Sequence, residues 1–360
     1  MKKEIMLILT EKCNLSCTYC FEHHKSIKKM NFETARIIID KEMNVKDDIE
    51  EYQITLFGGE PFLEMELIKK IYYYVEENIG RWNKKVNIFV NTNGTLLDDD
   101  VKEWLRKRRK YIYCGLSLDG TREMHNINRS NSFDRIDLDF FRECWPNQII
   151  KMTISKETLP KLAEGVIFIH EKGFDCGCTF AYGLEWSKEL VNILKEQLCI
   201  LEKFYIEHIN YPLCQILNIN ISVLLKDKKD RYKRCGAGEN MMAYDTEGKK
   251  YPCHSFSTVS LGESAKLFEN YTLPIEDIID EERCIKCQYY LICPTCYGVN
   301  YSYTGNIGKR NRWLCDFFKL CVSSSVRIQF YRLRSKKMEE LDKKDYETLM
   351  AINKWITTNN

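Results

Sequence analysis

Short β-rich runs alternate with amphipathic stretches between residues 4 and 181, and this alternation constrains the fold more than any other feature. Each β-rich run precedes a segment with apolar residues at helical spacing, as in residues 32–45 after a candidate N-cap at Asn31. Repeated strand-then-helix units predict a parallel sheet covered by helices. In such folds the loops after the carboxyl ends of the strands carry the chemistry. The predicted strands are residues 4–9, 52–57, 86–91, 111–118, 148–154 and 174–181.

The remainder of the chain has a different pattern. We predict an α/β region over residues 1–185, a helical linker over 186–231, a Cys-rich region over 232–321 and a charged helical tail over 322–360. Within the Cys-rich region, the run MMAYDTEGKKYPC predicts a hairpin that turns at Gly248.

Charge and hydropathy exclude several classes of partner. Lys and Arg number 54 against 52 Asp and Glu, so the net charge of +2 creates no field that would attract nucleic acid or an anionic membrane. The apolar run at residues 5–9 is too short for a signal peptide, and no stretch approaches the roughly 20 apolar residues of a membrane span. We therefore expect a soluble, cytoplasmic protein without nucleic-acid or membrane partners.

Seventeen cysteines are unexpected in such a protein. A reducing cytosol does not preserve disulfides, and free thiols are open to oxidation, so metal binding is the better explanation. Cys144, Cys199 and Cys214 are isolated in apolar surroundings, and we predict that they are small core residues. The other cysteines cluster at ligand spacing.

Cys13, Cys17 and Cys20 form a C-x3-C-x2-C motif directly after the first predicted strand. Three thiolates on one loop can hold three irons of a four-iron cluster and leave the fourth iron without a protein ligand. A metal site with an open position is typical of catalysis. The alternative is a zinc site that takes its fourth cysteine from elsewhere in the chain.

Further short motifs follow at the next strand ends: Gly58, Gly59, Glu60 and Pro61, then NTNG at 91–94, LSLDG at 116–120 and HNINR at 125–129. With the cysteine motif, and in this order, they make residues 4–181 resemble the radical S-adenosylmethionine (SAM) superfamily. The resemblance implies a partial (β/α)6 TIM-like barrel whose open iron binds SAM. In that family, one electron from the cluster breaks a C–S bond of SAM and yields a 5′-deoxyadenosyl radical that abstracts hydrogen.

The resemblance also implies residue roles. It assigns SAM contacts to Tyr19, Gly58, Gly59, Glu60, Ser117 and Arg129. Glycine suits the second motif because a ligand can approach a bare backbone closely. A side chain at Gly59 is therefore expected to intrude on the ligand.

The C-terminal cysteines admit two interpretations. Paired C-x2-C units are typical of a zinc ribbon, whereas the complete spacing resembles the SPASM extension of radical SAM enzymes, which carries two auxiliary 4Fe–4S clusters. That resemblance assigns the outer cluster to Cys284, Cys287, Cys293 and Cys315, and the inner cluster to Cys235, Cys253 and Cys296. Together with the SAM cluster, it implies three 4Fe–4S clusters.

Two departures from the SPASM pattern concern the inner cluster. Cys293 and Cys296 are separated by two residues where the family has three. Sulfatase-maturing relatives carry a further cysteine shortly after the first, where this chain reads GAGENMMAY. The inner cluster then has three predicted protein ligands. Its fourth position is open to a substrate cysteine, or is filled by His254 or Cys321.

SPASM-bearing enzymes mostly modify peptides or proteins, which leads to the functional prediction. His254 follows Cys253, where sulfatase-maturing enzymes place an acidic general base. Histidine can act as a base near neutral pH, or it can donate a hydrogen bond to cluster sulfur. We predict a maturase that forms a thioether in a ribosomal peptide. The alternatives are formylglycine formation on a protein and a non-catalytic iron–sulfur or zinc scaffold.

The expected partners follow from this prediction. They are a precursor peptide and a reducing protein such as flavodoxin or ferredoxin. Because the first strand begins at residue 4, leader recognition is expected to use a separate protein or the exposed surface of the chain.

Overall fold

The computed structural model describes residues 2–45, 49–227, 233, 235–274, 278–279, 281–310 and 312–359. The chain divides into two compact units. The first comprises residues 1–118, 128–149 and 235–275, and the second comprises residues 119–127, 150–234 and 276–360. Each unit therefore draws on distant parts of the sequence. The four-region division of the sequence stays a prediction.

Four parallel strands form the larger part of the sheet in the first unit. They pair in chain order as β1 (Lys2–Thr10), β2 (Glu51–Gly58), β3 (Lys85–Thr92) and β4 (Ile112–Leu116). One register row aligns Ile5, Ile54, Ile88 and Ile112, all of them buried. β-Branched side chains pack well on a pleated surface, so this row fixes the register across the sheet.

Helices connect these strands close to where the sequence predicts them. They are α1 (Phe32–Met43), α2 (Met65–Trp82) and α3 (Asp99–Arg108). The Asn31 side chain accepts a hydrogen bond from the backbone of Thr34, which confirms the predicted N-cap of α1. The carboxylate of Asp98 caps α3 in the same way.

A late segment of the chain completes this sheet. β7 (Met241–Tyr244) pairs in parallel with β1, and β8 (Lys250–Tyr251) pairs antiparallel with β7. The strand order is β4-β3-β2-β1-β7-β8. The predicted hairpin is confirmed, with Gly248 at a positive φ of 84° in its turn. The sequence did not predict that this hairpin pairs with β1.

The fifth and sixth predicted strands form a separate sheet. β5 (Ile149–Ile154) pairs with β6 (Asp175–Phe180), so the structure confirms an α/β fold with a mostly parallel sheet but does not confirm a barrel. At the outer edge of β4, the Leu116 N–H donates to the Gln148 side chain at 3.3 Å. The Ile112 carbonyl accepts from the Trp145 indole at 3.2 Å. These side chains occupy hydrogen-bonding positions that a neighbouring strand would use.

The remaining helices include some short ones. They are α4 (Arg122–Asn128), α5 (Leu138–Cys144), α6 (Leu162–Glu171), α7 (Glu189–Glu207), α8 (Thr258–Leu261), α9 (Glu282–Lys286), α10 (Tyr297–Thr304), α11 (Cys315–Arg334) and α12 (Lys343–Asn359). In the second unit, Arg327 of α11 forms a bidentate ion pair with Glu202 of α7 at 2.8 and 2.5 Å. No described helix combines the length and apolar character that crossing a membrane requires.

The isolated cysteines divide into buried and exposed. Cys144 and Cys214 are buried as predicted, but Cys199 is exposed, so its assignment to the core is wrong. On α7 the buried side chains include Leu194, Leu198 and Leu201. At 3.6 residues per turn, position 199 falls outside that face.

Candidate functional site

The three cysteines of the N-terminal motif lie together on the loop after β1. Cys13, Cys17 and Cys20 are half-buried and line one cavity of about 540 Å³. The backbone N–H of Cys20 donates to the carbonyl of Cys17 at 3.2 Å, which folds the loop into a turn. Thr18 donates its N–H to the carbonyl of Asn128 at 3.0 Å and anchors this turn within the first unit.

A lysine that the sequence analysis did not identify lies beside these thiols. Lys25 lines the same cavity and donates a hydrogen bond to the sulfur of Cys20. Burial lowers the pKa of Lys25, but negative charge at Cys20 and Cys13 raises it overall, so the ammonium remains charged. Burial also raises the pKa of the neighbouring Glu22 to about 7. The cavity therefore presents a cation to the cysteine sulfurs.

Gly58 and Gly59 allow the end of β2 to lie directly on the cysteine loop. The N–H of Gly59 donates to the Thr10 carbonyl, and the N–H of Glu60 donates to the Lys12 carbonyl, each at 3.0 Å. A Cβ atom at Gly59 would lie 2.3 Å from the Lys12 carbonyl oxygen. Glycine is thus required first by contact between two backbone segments. The expected collision of a side chain with the ligand stays a prediction.

The Glu60 carboxylate joins the ends of β2 and β3. One oxygen accepts from the Phe62 N–H at 3.1 Å and the Thr92 hydroxyl at 2.9 Å, and the other accepts from the Asn93 N–H at 2.8 Å. The residue is 1% exposed, and burial raises its pKa to about 7. The side chain holds the loop structure, which leaves the backbone for the predicted SAM contact.

The other predicted SAM-contacting residues lie in the same unit. The guanidinium of Arg129 lies 5.5 Å from the centroid of the Tyr19 ring. The positive charge of Arg129 also lowers the pKa of Glu60, against the larger effect of burial. Ser117 follows β4 and donates its N–H to the Thr92 carbonyl at 2.9 Å. All six predicted SAM-contacting residues thus belong to the unit that carries the cysteine loop.

His254 lies against both N-terminal motifs. Its ring centroid is 4.9 Å from that of Phe57, which precedes Gly58, and 5.8 Å from that of Phe21, which follows Cys20. The two phenylalanines carry no sequence signal of their own. Their positions beside recognised motifs could have identified them as neighbours of the site.

Six C-terminal cysteines line one cavity of about 960 Å³ in the second unit: Cys284, Cys287, Cys293, Cys296, Cys315 and Cys321. The charge of one thiol affects the pKa of another among Cys284, Cys287, Cys293 and Cys315, so these four lie close together. Burial raises the pKa of Cys293 to about 11. The four predicted ligands of the outer cluster are therefore brought together.

The predicted inner set divides between the units. Cys235 and Cys253 belong to the first unit, and Cys296 belongs to the second. A hydrogen bond of 2.9 Å from the Gly238 N–H to the Pro252 carbonyl links the segments that contain Cys235 and Cys253. Cys321, a candidate fourth ligand, is buried and lines the second-unit cavity. The inner ligand set stays a prediction.

No described group of three or more His, Cys, Asp or Glu side chains converges as ligands of a single metal ion would. Ligands of one zinc ion surround a common point at about 2.0–2.3 Å. The thiolates of an iron–sulfur cluster bind separate irons and therefore stand farther apart.

Comparisons with known proteins agree with the motifs. Residues 7–138 match the Radical SAM superfamily. The chain is 22% identical to a cysteine-type anaerobic sulfatase-maturating enzyme of Clostridium perfringens, covering 78% of this chain and 84% of that protein.

Two solved structures share the fold. One, of native anSMEcpe with bound AdoMet, has a TM-score of 0.70 at 19% identity and covers 92% of this chain and 100% of that chain. The other, of Streptococcus suis SuiB bound to precursor peptide SuiA, has a TM-score of 0.59 at 17% identity and covers 87% and 75%, respectively. The ordered motifs and the match over residues 7–138 show that the chain is an enzyme with a Radical SAM domain.

Proposed function

We propose that the chain is a peptide maturase that uses SAM to modify a ribosomally made peptide by forming a thioether from a substrate cysteine. The observation that carries the proposal is the grouping of cysteines in each unit. Three lie on the loop after β1 and line its cavity, and five predicted cluster ligands line the second-unit cavity. Similarity to a sulfatase-maturating enzyme and to SuiB, which was solved with a precursor peptide, favours a peptide or protein substrate.

Cys13, Cys17 and Cys20 would hold the catalytic 4Fe–4S cluster. Three half-buried thiols on one cavity and the nearby Lys25 ammonium suit an anionic cluster with one open iron. With SAM bound and one electron supplied, this centre provides a carbon radical that abstracts hydrogen from the substrate. The backbone at Gly58, the Tyr19 backbone, and the side chains of Ser117 and Arg129 would orient SAM.

The cysteines of the SPASM-like region would hold two auxiliary 4Fe–4S clusters. Cys284, Cys287, Cys293 and Cys315 would form the outer set, and Cys235, Cys253 and Cys296 the inner set. In this proposal the inner position without a protein thiolate would receive the substrate cysteine as a thiolate, and the inner cluster would accept the electron released when the carbon radical bonds to sulfur. A flavodoxin or ferredoxin would supply electrons, and a separate protein or the exposed surface of the chain would bind the leader. We further propose that the first unit belongs to a partial barrel of the radical SAM type.

His254 is the proposed general base. Its ring lies close to Phe57, which precedes the Gly58–Gly59 motif, and to Phe21, which follows the cysteine motif. An imidazole accepts a proton near neutral pH. Formylglycine formation is the second candidate, favoured by similarity to the C. perfringens enzyme. Histidine in place of an acid weighs against it.

Two variants of the anaerobically reconstituted enzyme test this proposal. Cys17→Ala should lose about four irons per chain and form no 5′-deoxyadenosine with dithionite and SAM. His254→Gln should retain 5′-deoxyadenosine formation but give little crosslinked peptide, because removal of the proton from the substrate thiol is impaired. Cys199→Ala, which alters an exposed cysteine outside the ligand sets, serves as the control.

Substrate peptides test the proposed bond. A cysteine-containing peptide should perturb one auxiliary-cluster signal, whereas the same peptide with serine should leave the spectrum unchanged. Normal SAM cleavage by Cys17→Ala would refute the catalytic assignment. An identical spectrum with both peptides would refute the open-site thioether reaction.

A further inference from the structure

A buried arginine lies in the second-unit cavity with the predicted outer ligands. Arg310 is 8% exposed and lines the cavity with Cys284, Cys287, Cys293 and Cys315. Its guanidinium carbon lies 4.9 Å from the centroid of the Tyr290 ring. Its Nε atom is fully buried and has no hydrogen-bond partner among the described residues.

Neighbouring cations have carboxylate partners that Arg310 lacks. Arg312 forms an ion pair with Glu281, and Lys319 pairs with Asp316 at 3.1 Å. The Glu281 carboxylate accepts a hydrogen bond from the backbone N–H of Arg310 at 3.0 Å. Within the part of the chain that the structure describes, the Arg310 guanidinium forms no ion pair with a carboxylate.

A buried guanidinium without an anion is energetically unfavourable. Arginine remains protonated in proteins, and burial of a charge is costly unless the charge is paired. The contact with Tyr290 offsets part of this cost through a cation–π interaction. The orphaned Nε and the unpaired charge therefore indicate an anionic occupant of the cavity. A four-iron cluster with four thiolate ligands is such an anion.

We propose that Arg310 is the buried counter-ion of the outer auxiliary cluster and raises its reduction potential. This inference rests on the outer ligand set of the proposed function. The step concerned is the transfer of one electron from an external reductant to the cluster, with no bond formed or broken. Reduction adds negative charge, which a fixed cation stabilises, and net charge and hydrogen bonds to sulfur are established determinants of cluster potential.

A redox titration of the reconstituted enzyme, monitored by electron paramagnetic resonance with dithionite as the reductant, tests the inference. The signal absent from Cys287→Ala identifies the outer cluster. In Arg310→Gln, the ratio of reduced to oxidised outer cluster at a fixed potential should fall about tenfold, which corresponds to about 59 mV for one electron. Arg310→Lys should restore most of the potential. Arg312→Gln, which removes a more exposed cation nearby, should lower it less, because solvent screens an exposed charge.

An unchanged potential in fully loaded Arg310→Gln would overturn the inference. If Arg310→Gln instead fails to load the outer cluster, the iron content of the other variants tests the inference. Recovery of about four irons per chain in Arg310→Lys would support the counter-ion, and failure of both variants with full loading of Arg312→Gln would refute a role based on charge. If the unaltered protein binds about four irons only, the auxiliary-cluster part of the proposed function fails, and this inference fails with it.

Discussion

At the residue scale, the Glu60 side chain has a structural role within its motif. Both carboxylate oxygens are occupied by donors from Phe62, Thr92 and Asn93. A buried carboxylate that accepts several hydrogen bonds fixes the segments that donate them. The Glu60 carboxylate therefore holds the ends of β2 and β3 together.

Replacement of Glu60 by Gln should destabilise the protein. The amide nitrogen of Gln would face at least one of the three donors, and a buried conflict of this kind costs about 1–3 kcal/mol. Urea unfolding under anaerobic conditions measures the loss. Glu64→Gln is the control, because Glu64 lies on the adjacent turn and forms an ion pair with the exposed Lys29 at 3.3 Å. Equal stabilities of the two variants would contradict the assigned role.

The same residue predicts a pH dependence. Burial raises the pKa of Glu60 from its ordinary value of 4.5 to about 7, so the folded protein retains a proton that the unfolded chain releases. The stability contributed by this proton is present below about pH 4.5 and is lost as the pH rises towards about 7. The cost of Glu60→Gln should therefore be larger near pH 5 than near pH 8. A constant cost would contradict the raised pKa.

At the scale of elements, the end of β2 lies so close to the cysteine loop that no side chain fits at position 59. Gly59→Ala would place a methyl group 2.3 Å from a backbone oxygen that cannot move without the loop. We expect this variant to lose both SAM affinity and the iron of the catalytic cluster, measured by equilibrium binding and iron analysis.

Gly80→Ala provides the matched control for that experiment. Gly80 lies in α2, and a Cβ atom there has no neighbour within 4 Å. This change should raise stability by about 0.5–1 kcal/mol, because alanine favours the helix and restricts the unfolded chain. If Gly59→Ala retains its iron while SAM affinity falls, the glycine contacts the ligand directly, as the family resemblance implies.

The sequence predicted individual elements better than their pairing. All six early strands and the Asn31 cap appear near their expected positions. The Gln148 and Trp145 side chains form hydrogen bonds with the edge of β4, and local periodicity does not predict such contacts. Likewise, spacing identified the cysteines of each site, whereas Lys25 and Arg310 lie in no motif and emerge only from tertiary contacts.

At the scale of the whole molecule, each unit has its own buried core. In the second unit, Ile352 of α12 is 3% exposed and belongs to a cluster with Ile221, Val322 and Val326. Ile352→Ala should destabilise this unit by about 2–5 kcal/mol, the usual cost of truncating a buried isoleucine. Ile356→Ala, on the same helix but 42% exposed, is the control.

Loss of auxiliary iron in increasing urea measures the effect of Ile352→Ala on the second unit. We expect release at a lower urea concentration in Ile352→Ala than in Ile356→Ala. A coincident release would show that the α12 core does not support the auxiliary site.

The pairing of β1 with both β2 and β7 has a consequence for biosynthesis. β1 comprises residues Lys2–Thr10, and its neighbour β7 comprises Met241–Tyr244, so one side of the first strand lacks its partner until most of the chain has left the ribosome. Unpaired strand edges invite association with other chains, and contacts between distant residues form slowly. Nascent chains therefore pass through a long interval in which a hydrophobic edge needs protection, and production at low temperature or with chaperones should favour the native protein.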